Sequence, residues 1–204
     1  MWQLLTDPNA FFSRRADDSN VLLPVVIVSL AAVANIASFL VLMPHISNSL
    51  SDNISPFLVL INTVGAFSGF ISVYLVWGLF SAVFYGLSTV FNGEGSFRET
   101  VLLAGWGFVP MILAGLISTV ATAHTISMVV LPSDPQSLQT FLQKLRQRPA
   151  FRVVSVLGIL LSVWRGFLWT FAVKHARNLS LRESAIVVGI PVGISVSWTI
   201  LQYL

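Results

Sequence analysis

The chain has 204 residues, 55% hydrophobic and only 9% charged, with a formal net charge of +3 and a mean hydropathy of +0.84. A soluble domain carries about 25% charged residues, so this composition excludes a water-soluble globule and indicates an integral membrane protein. The basic residues fall between apolar runs, which points to anionic lipid headgroups and a positive-inside orientation rather than to nucleic acid, and with no cysteine the chain has no disulfide, thiolate nucleophile or cysteine metal site.

The first residues, MWQLLTDPNAFFSRRADDSN, lack the basic start, apolar core and small-residue cleavage site of a secretory signal. The first long apolar run is therefore expected to be a retained span. Asp7-Pro8 opens a helix or turn, and Trp2, Leu5, Phe11 and Phe12 followed by Arg14 and Arg15 read as a segment lying on the membrane surface. Span one is expected over about 21–43, with Pro24 near its start, where the missing N–H costs little. No charge then appears from Asn53 to Gly93, a run of about 60 Å as a helix and roughly twice what one span needs. The weak spot is GAFSG at 65–69. The expectation is an interfacial or packed lead-in over 55–65 and span two over 66–90, with a six-span chain as the alternative.

The stretch GEGSFRETVLLAGWGFVP at 93–110 opens span three, expected over 99–121. Gly93 and Gly95 can adopt positive φ and close a tight turn, and Ser96 with Glu99 forms the S/T-x-x-E capping box. Gly105 and Gly107 flank Trp106, letting a neighbouring helix approach beside a bulky anchor, and Pro110 kinks the span. The loop SDPQSLQTFLQKLRQRP reads as a short amphipathic helix, capped by Ser133 or Asp134 and ended by Pro149. Leu138, Phe141, Leu142 and Leu145 share one face, while Lys144, Arg146 and Arg148 meet water or headgroups. An interfacial helix and a helix packed on the bundle both fit. Spans four and five are expected over 151–174 and 184–203.

Small residues recur at four-residue spacing as Gly65-x-x-x-Gly69, Gly78-x-x-x-Ala82-x-x-x-Gly86 and Gly189-x-x-x-Gly193, ridges expected to pack helices within the monomer, with dimer formation or a hinge as alternatives. Arg165, between Trp164 and Trp169, is the charge well inside a span. It either snorkels towards Lys174 as a structural group or binds a ligand or lipid, with backbone carbonyls, Asn35 or Asn62 as its acceptors. His45, His124 and His175 lie near span ends without a carboxylate cluster, so no metal or cofactor is expected, and no catalytic set can be assembled. His175 belongs at headgroup level. With five spans, Arg14, Arg15, Arg98, Lys174, Arg177 and Arg182 share the side of the N-terminus, against Lys144, Arg146, Arg148 and Arg152 opposite. That count favours a cytoplasmic N-terminus and an external C-terminus.

These residues carry a resemblance. GEGSFRETVLLAGWGFVPMIL at 93–113, with Gly93, Gly95, Ser96, Phe97, Gly105, Trp106, Gly107 and Pro110, resembles the turn and third span of the YIP (Ypt/Rab-interacting protein type) membrane-domain family in its prokaryotic branch. LGILLSVWRGFLWTFAVKHARNLSLRESAIVVGIPV at 157–192, holding Trp164, Arg165 and His175, resembles its last two spans and their short loop, and DPNAFF at 7–12 its Pro-x-x-Phe-Phe lead. The resemblance implies an all-α bundle of five transmembrane helices in one domain, a cytosolic N-terminus and, in eukaryotic members, small GTPases as partners in vesicle traffic. The DLYGP motif of those members is absent, the segment ahead of the first span is short, and Trp106 stands where many members have Tyr. These differences weigh against a GTPase partner and favour a prokaryotic plasma membrane. The resulting expectation is a non-enzymatic membrane organiser acting through helix and lipid contacts, with homo-oligomers and anionic lipids as partners. The alternative is a small transporter or lipid-handling channel using the kinked third span and Arg165.

Overall fold

The computed structural model describes residues 2–16, 20–49, 55–146 and 148–201, and within them all regular structure is helical, with no strand. Five helical stretches are long and apolar enough to cross a membrane: Leu22–Ser49, Phe57–Phe91, Phe97–Ser127, Phe151–Ala176 and Leu181–Leu201. Nine α-helices are described: α1 (Trp2–Thr6), α2 (Pro8–Ser13), α3 (Leu22–Ser49), α4 (Ser55–Ser88), α5 (Phe97–Gly105), α6 (Val109–Ser127), α7 (Pro135–Arg146), α8 (Pro149–Ala176) and α9 (Leu181–Leu201). The expected end of span five at Tyr203, the start of the uncharged run at Asn53 and the side chain of Arg146 lie outside the described residues.

The expected lead-in at 55–65 and span two are one uninterrupted helix, α4, of 34 residues. Gly65 and Gly69 do not break it, because they are spent on contact: a Cβ at Gly65 would come within 2.9 Å of the Phe39 ring, and at Gly69 within 3.0 Å of Ile36. Asn35 Nδ2 donates to the Gly69 carbonyl at 3.4 Å, and Ser29 and Tyr74 share a 2.6 Å hydrogen bond. The closest pairing is α3 on α6. A Cβ at Gly115 would lie 2.5 Å from the Ala34 carbonyl oxygen, Ala31, Ala32 and Ala34 are buried, and Ser38 reaches Ser118 at 3.0 Å and Thr119 at 3.2 Å. Lipid gives helices no hydrophobic reason to associate, so backbone proximity and van der Waals contact between small residues hold this pair.

Span three is α5, a 3-10 turn Trp106–Phe108 and α6, with Pro110 in the first turn of α6. The interruption falls where proline removes a backbone donor and crowds the preceding turn. Pro149, expected to end the amphipathic helix, instead starts α8, a first-turn position that suits proline. In α7 the cap is Asp134, whose carboxylate accepts from the Ser137 backbone N–H at 2.7 Å, and the hydrogen bonds from Ser137 hold that carboxyl below its usual value. Leu138 and Leu145 of α7 are buried.

The N-terminal segment, expected on the membrane surface, packs one face on the bundle and leaves Trp2 and Leu5 exposed. Leu4, Phe11 and Phe12 are buried, and Phe11 packs edge-on to Trp106 at 4.8 Å between ring centres. The first turn of α3 stands beside Gly105, where a Cβ would meet Pro24 at 2.9 Å, so α3 begins about two turns below the start of α5. The short helices α1 and α2 fill the space that α3 leaves.

Burial is uneven along the bundle. Above the level of Arg165 on α8, Gly166, Leu168, Trp169, Ala172, Val173 and Ala176 are buried, whereas among the described residues from Pro149 to Arg165 none is. Likewise, among the residues whose burial is described, α4 buries nothing before Val73 and α9 nothing after Val192. The shared core lies in the half of the molecule that holds the chain's first residues, the 92–96 turn and the 177–180 turn.

Candidate functional site

The polar chemistry concentrates at that packed end. The two turns there are built alike. Asn92 (φ 53°) and Asn178 (φ 52°) take the left-handed conformation that asparagine tolerates. Ser96 Oγ accepts from Glu99 N at 3.2 Å while Glu99 Oε2 accepts from Ser96 N at 2.9 Å, the expected capping box. Ser180 and Glu183 make the same reciprocal pair at 3.3 and 2.9 Å. The positive φ belongs to Gly95 (95°) and to Asn92, not to Gly93, which is small for another reason: a Cβ there would meet the Ser88 carbonyl oxygen at 2.9 Å.

Arg177 joins the two turns. Its side chain is 2% exposed; Nε donates to Ser88 Oγ at 2.8 Å, Nη1 to the Gly95 carbonyl and Nη2 to the Gly93 carbonyl, and Cζ lies 4.2 Å from the centre of the Tyr85 ring. Its own carbonyl accepts from Glu94 N at 2.9 Å. A planar fork with fixed donors suits this cluster of converging acceptors. Sequence reading counted Arg177 only as a loop charge. Its acceptors lie some 80 to 90 residues earlier, and a loop arginine beside headgroups gives no local sign of such partners.

Below the turns, Trp169 is the hub of the core. It is fully buried, stacks on Phe80 at 4.8 Å, meets Phe84 at 5.2 Å and Phe108 at 5.8 Å, and its Nε1 donates to the Ala104 carbonyl at 2.8 Å. Gly107 is the close approach that admits it, since a Cβ there would lie 2.3 Å from the indole. Gly105, Trp106, Gly107 and Pro110 thus act together, with Gly105 receiving α3 and Gly107 receiving Trp169. Phe97 is 45% exposed and packs on Tyr85. Trp164 is half-buried against the core. His175 stands apart from the Trp169 hub, donating from Nε2 to Asn9 Oδ1 at 3.0 Å, an oxygen that also accepts from Lys174 Nζ at 2.7 Å. Because that amide oxygen can only accept, Nε2 must carry the proton.

Arg165 lies one helical turn from Trp169, with Cζ 4.8 Å from the indole and 5.9 Å from the Phe80 ring. It does not use the acceptors expected for it. Asn35 is engaged with Gly69 and Asn62 with Ser47, and the Nε of Arg165 is buried without a partner. Arg152 and Lys174 are separated along α8 by about 33 Å, close to the thickness of the hydrocarbon layer, and Arg165 is about 13 Å from the level of Lys174. A lone arginine near the centre of a span costs about 2.5–3.5 kcal/mol on insertion scales.

The small-residue ridges divide. Gly65 and Gly69 pack inside the chain, but a Cβ at Gly78, Gly86, Gly189 or Gly193 would meet nothing within 4 Å. Those two ridges face outward, contrary to the expected intramonomer packing. Among the described residues no three His, Cys, Asp or Glu side chains converge as metal ligands would.

A protein-family model described as the Yip1 domain matches residues 2–201. An uncharacterised protein of Methanocaldococcus jannaschii is 27% identical over 122 residues, which cover 57% of this chain and 83% of that protein. No solved structure matches the chain. A match that runs through both N-terminal helices and all five spans, rather than through one hairpin, makes the chain a member of the Yip1 domain family.

Proposed function

We propose that this Yip1-domain protein is a non-enzymatic membrane organiser that works by associating laterally with further copies of itself. The observation that carries the reading is the open face of the Gly78-Ala82-Gly86 ridge on α4 and of the Gly189-Gly193 ridge on α9. Inside the chain, equivalent small positions at Gly65, Gly69 and Gly115 are occupied by a neighbouring helix. The same chemistry left bare on the lipid side suits a second helix brought equally close. Among the described residues, the side chains of the turns at the packed end are engaged in internal hydrogen bonds, as Arg177, Glu99 and Glu183 are. In this reading the protein resides in a prokaryotic plasma membrane with the packed end cytoplasmic, its basic residues beside anionic headgroups, and it needs no small GTPase.

Labelled protein reconstituted in liposomes at a series of protein-to-lipid ratios tests this by energy transfer between copies. Transfer should rise with density in the unaltered chain. Gly189→Leu with Gly193→Leu should weaken association roughly tenfold, the scale of one or two kcal/mol for close helix packing. Transfer no greater than chance proximity in the unaltered chain, at every density, overturns the proposal.

A further inference from the structure

The face of α8 that carries Trp169 continues towards Pro149 as Arg165, Ser162 and Gly158, at three- and four-residue spacing. Above Arg165 this face is packed. Below it, a Cβ at Gly158 would meet nothing within 4 Å, and the Ser162 hydroxyl turns back on the Gly158 carbonyl at 2.9 Å rather than reaching a neighbouring helix. Among the described residues α9 buries nothing after Val192 and α4 nothing before Val73, while α6 keeps Thr122, Thr125 and Ile126 buried. The backbones of α4 and α8 stay apart, bridged by Phe80, Phe84 and Trp169. This face is the floor of a groove, small and polar, with open space at Gly158 and with Trp169 and Phe80 at its upper end. The guanidinium of Arg165 sits at that closed end.

This cation is answered only in part. Two ring faces lie over it, but an aromatic face accepts no conventional hydrogen bond, and the Nε is enclosed without an acceptor. No Asp or Glu occurs in the apolar part of any span. Arg177, by contrast, has an acceptor for each of its three nitrogens. The fold therefore satisfies one buried arginine completely and leaves the deeper one presented to a groove the membrane can fill. A guanidinium fork matches the paired oxygens of a carboxylate or a phosphate.

We propose that the groove binds a monoanionic amphiphile, its oxyanion on Arg165 and its hydrocarbon tail along Ser162 and Gly158. A fatty-acid carboxylate and the phosphodiester of an acidic phospholipid share this chemistry. The site does not depend on lateral association, because it uses a different face from the outward ridges of α4 and α9.

Native mass spectrometry of the full chain, loaded in turn with oleate, dioleoylphosphatidylglycerol or dioleoylphosphatidylcholine, tests it. One anionic amphiphile should be retained per chain, at about tenfold lower concentration than the zwitterionic lipid, and Arg165→Gln should lose that preference. Gly158→Trp fills the groove floor at an open position with the charge left in place, and should lose it as well. If Arg165→Gln does not yield folded protein by thermal melting, Gly158→Trp alone decides. Unchanged retention in the folded variants overturns the site. So does an unaltered chain with no preference for either anionic amphiphile, or acetate displacing oleate as effectively as oleate itself, since the groove would then play no part. The amphiphile held more tightly identifies the headgroup.

Discussion

Arg177 and Arg165 are the same side chain in opposite circumstances. Arg177 is enclosed by Ser88, Gly93 and Gly95, and removing it strands the two glycine carbonyls and the buried Ser88 hydroxyl at once. Arg177→Gln should therefore destabilise the protein by about 2–4 kcal/mol, with Arg177→Lys close behind because an ammonium cannot span the three acceptors. Thermal unfolding in detergent measures this, and a Lys variant as stable as the unaltered chain would show that the charge, not the fork, matters. At this scale the sequence was legible where partners are close along the chain. Ser96 and Glu99 are three residues apart, and their reciprocal bonds follow from that spacing. Ser180 and Glu183 carry the same signal and were readable on the same terms. The acceptors of Arg177 were not, because nothing local in KHARN says which turn will face it.

At the scale of elements, what was misread is what depends on a neighbour. Amphipathic character in DPNAFF was visible, but whether its aromatic side meets lipid or protein is decided by where α3 begins. Because α3 starts level with Gly105, Phe11 and Phe12 are drawn into the bundle and Asn9 is fixed by Lys174 and His175. Phe12→Ala should empty a fully buried site and cost about 3–5 kcal/mol locally. Hydrogen exchange should then rise across residues 2–16 while α8 and α9 stay protected. Equal protection in the variant would mean that α1 and α2 are held by their polar contacts alone. The length of α4 was hidden for a different reason. A charge-free run carries no marker of where water begins, and the glycines that resembled a break are contact points with α3.

For the whole molecule, five crossings place the 92–96 and 177–180 turns beside the N-terminal helices, with the 128–134 loop and α7 at the other end. The absence of native cysteine makes this directly measurable. Ser13→Cys, Glu94→Cys and Asn178→Cys should label with a membrane-impermeant maleimide from one side only, and Val130→Cys, at a position 93% exposed, from the other. Labelling of Glu94→Cys and Asn178→Cys from opposite sides would refute the five-span arrangement. The number and class of helices were readable from hydropathy alone. The uneven core was not, since composition is nearly as apolar in the half where α8 buries nothing as in the packed one, and only the meeting of Trp169 with Gly107 shows where the packing of α8 stops.

The joint between the two turns also bears on how the chain is made. A ribosome delivers Gly93 and Gly95 long before Arg177, so for some 80 residues of synthesis the carbonyls that will receive the guanidinium have no occupant. Trp169 likewise reaches the gap at Gly107 only when the fourth crossing arrives. The first three crossings are thus an open half-product, and the final hairpin acts as its latch. A nascent chain halted before residue 177 would expose unlatched turns to the membrane's quality-control proteases, whereas one that has passed it would close and be spared.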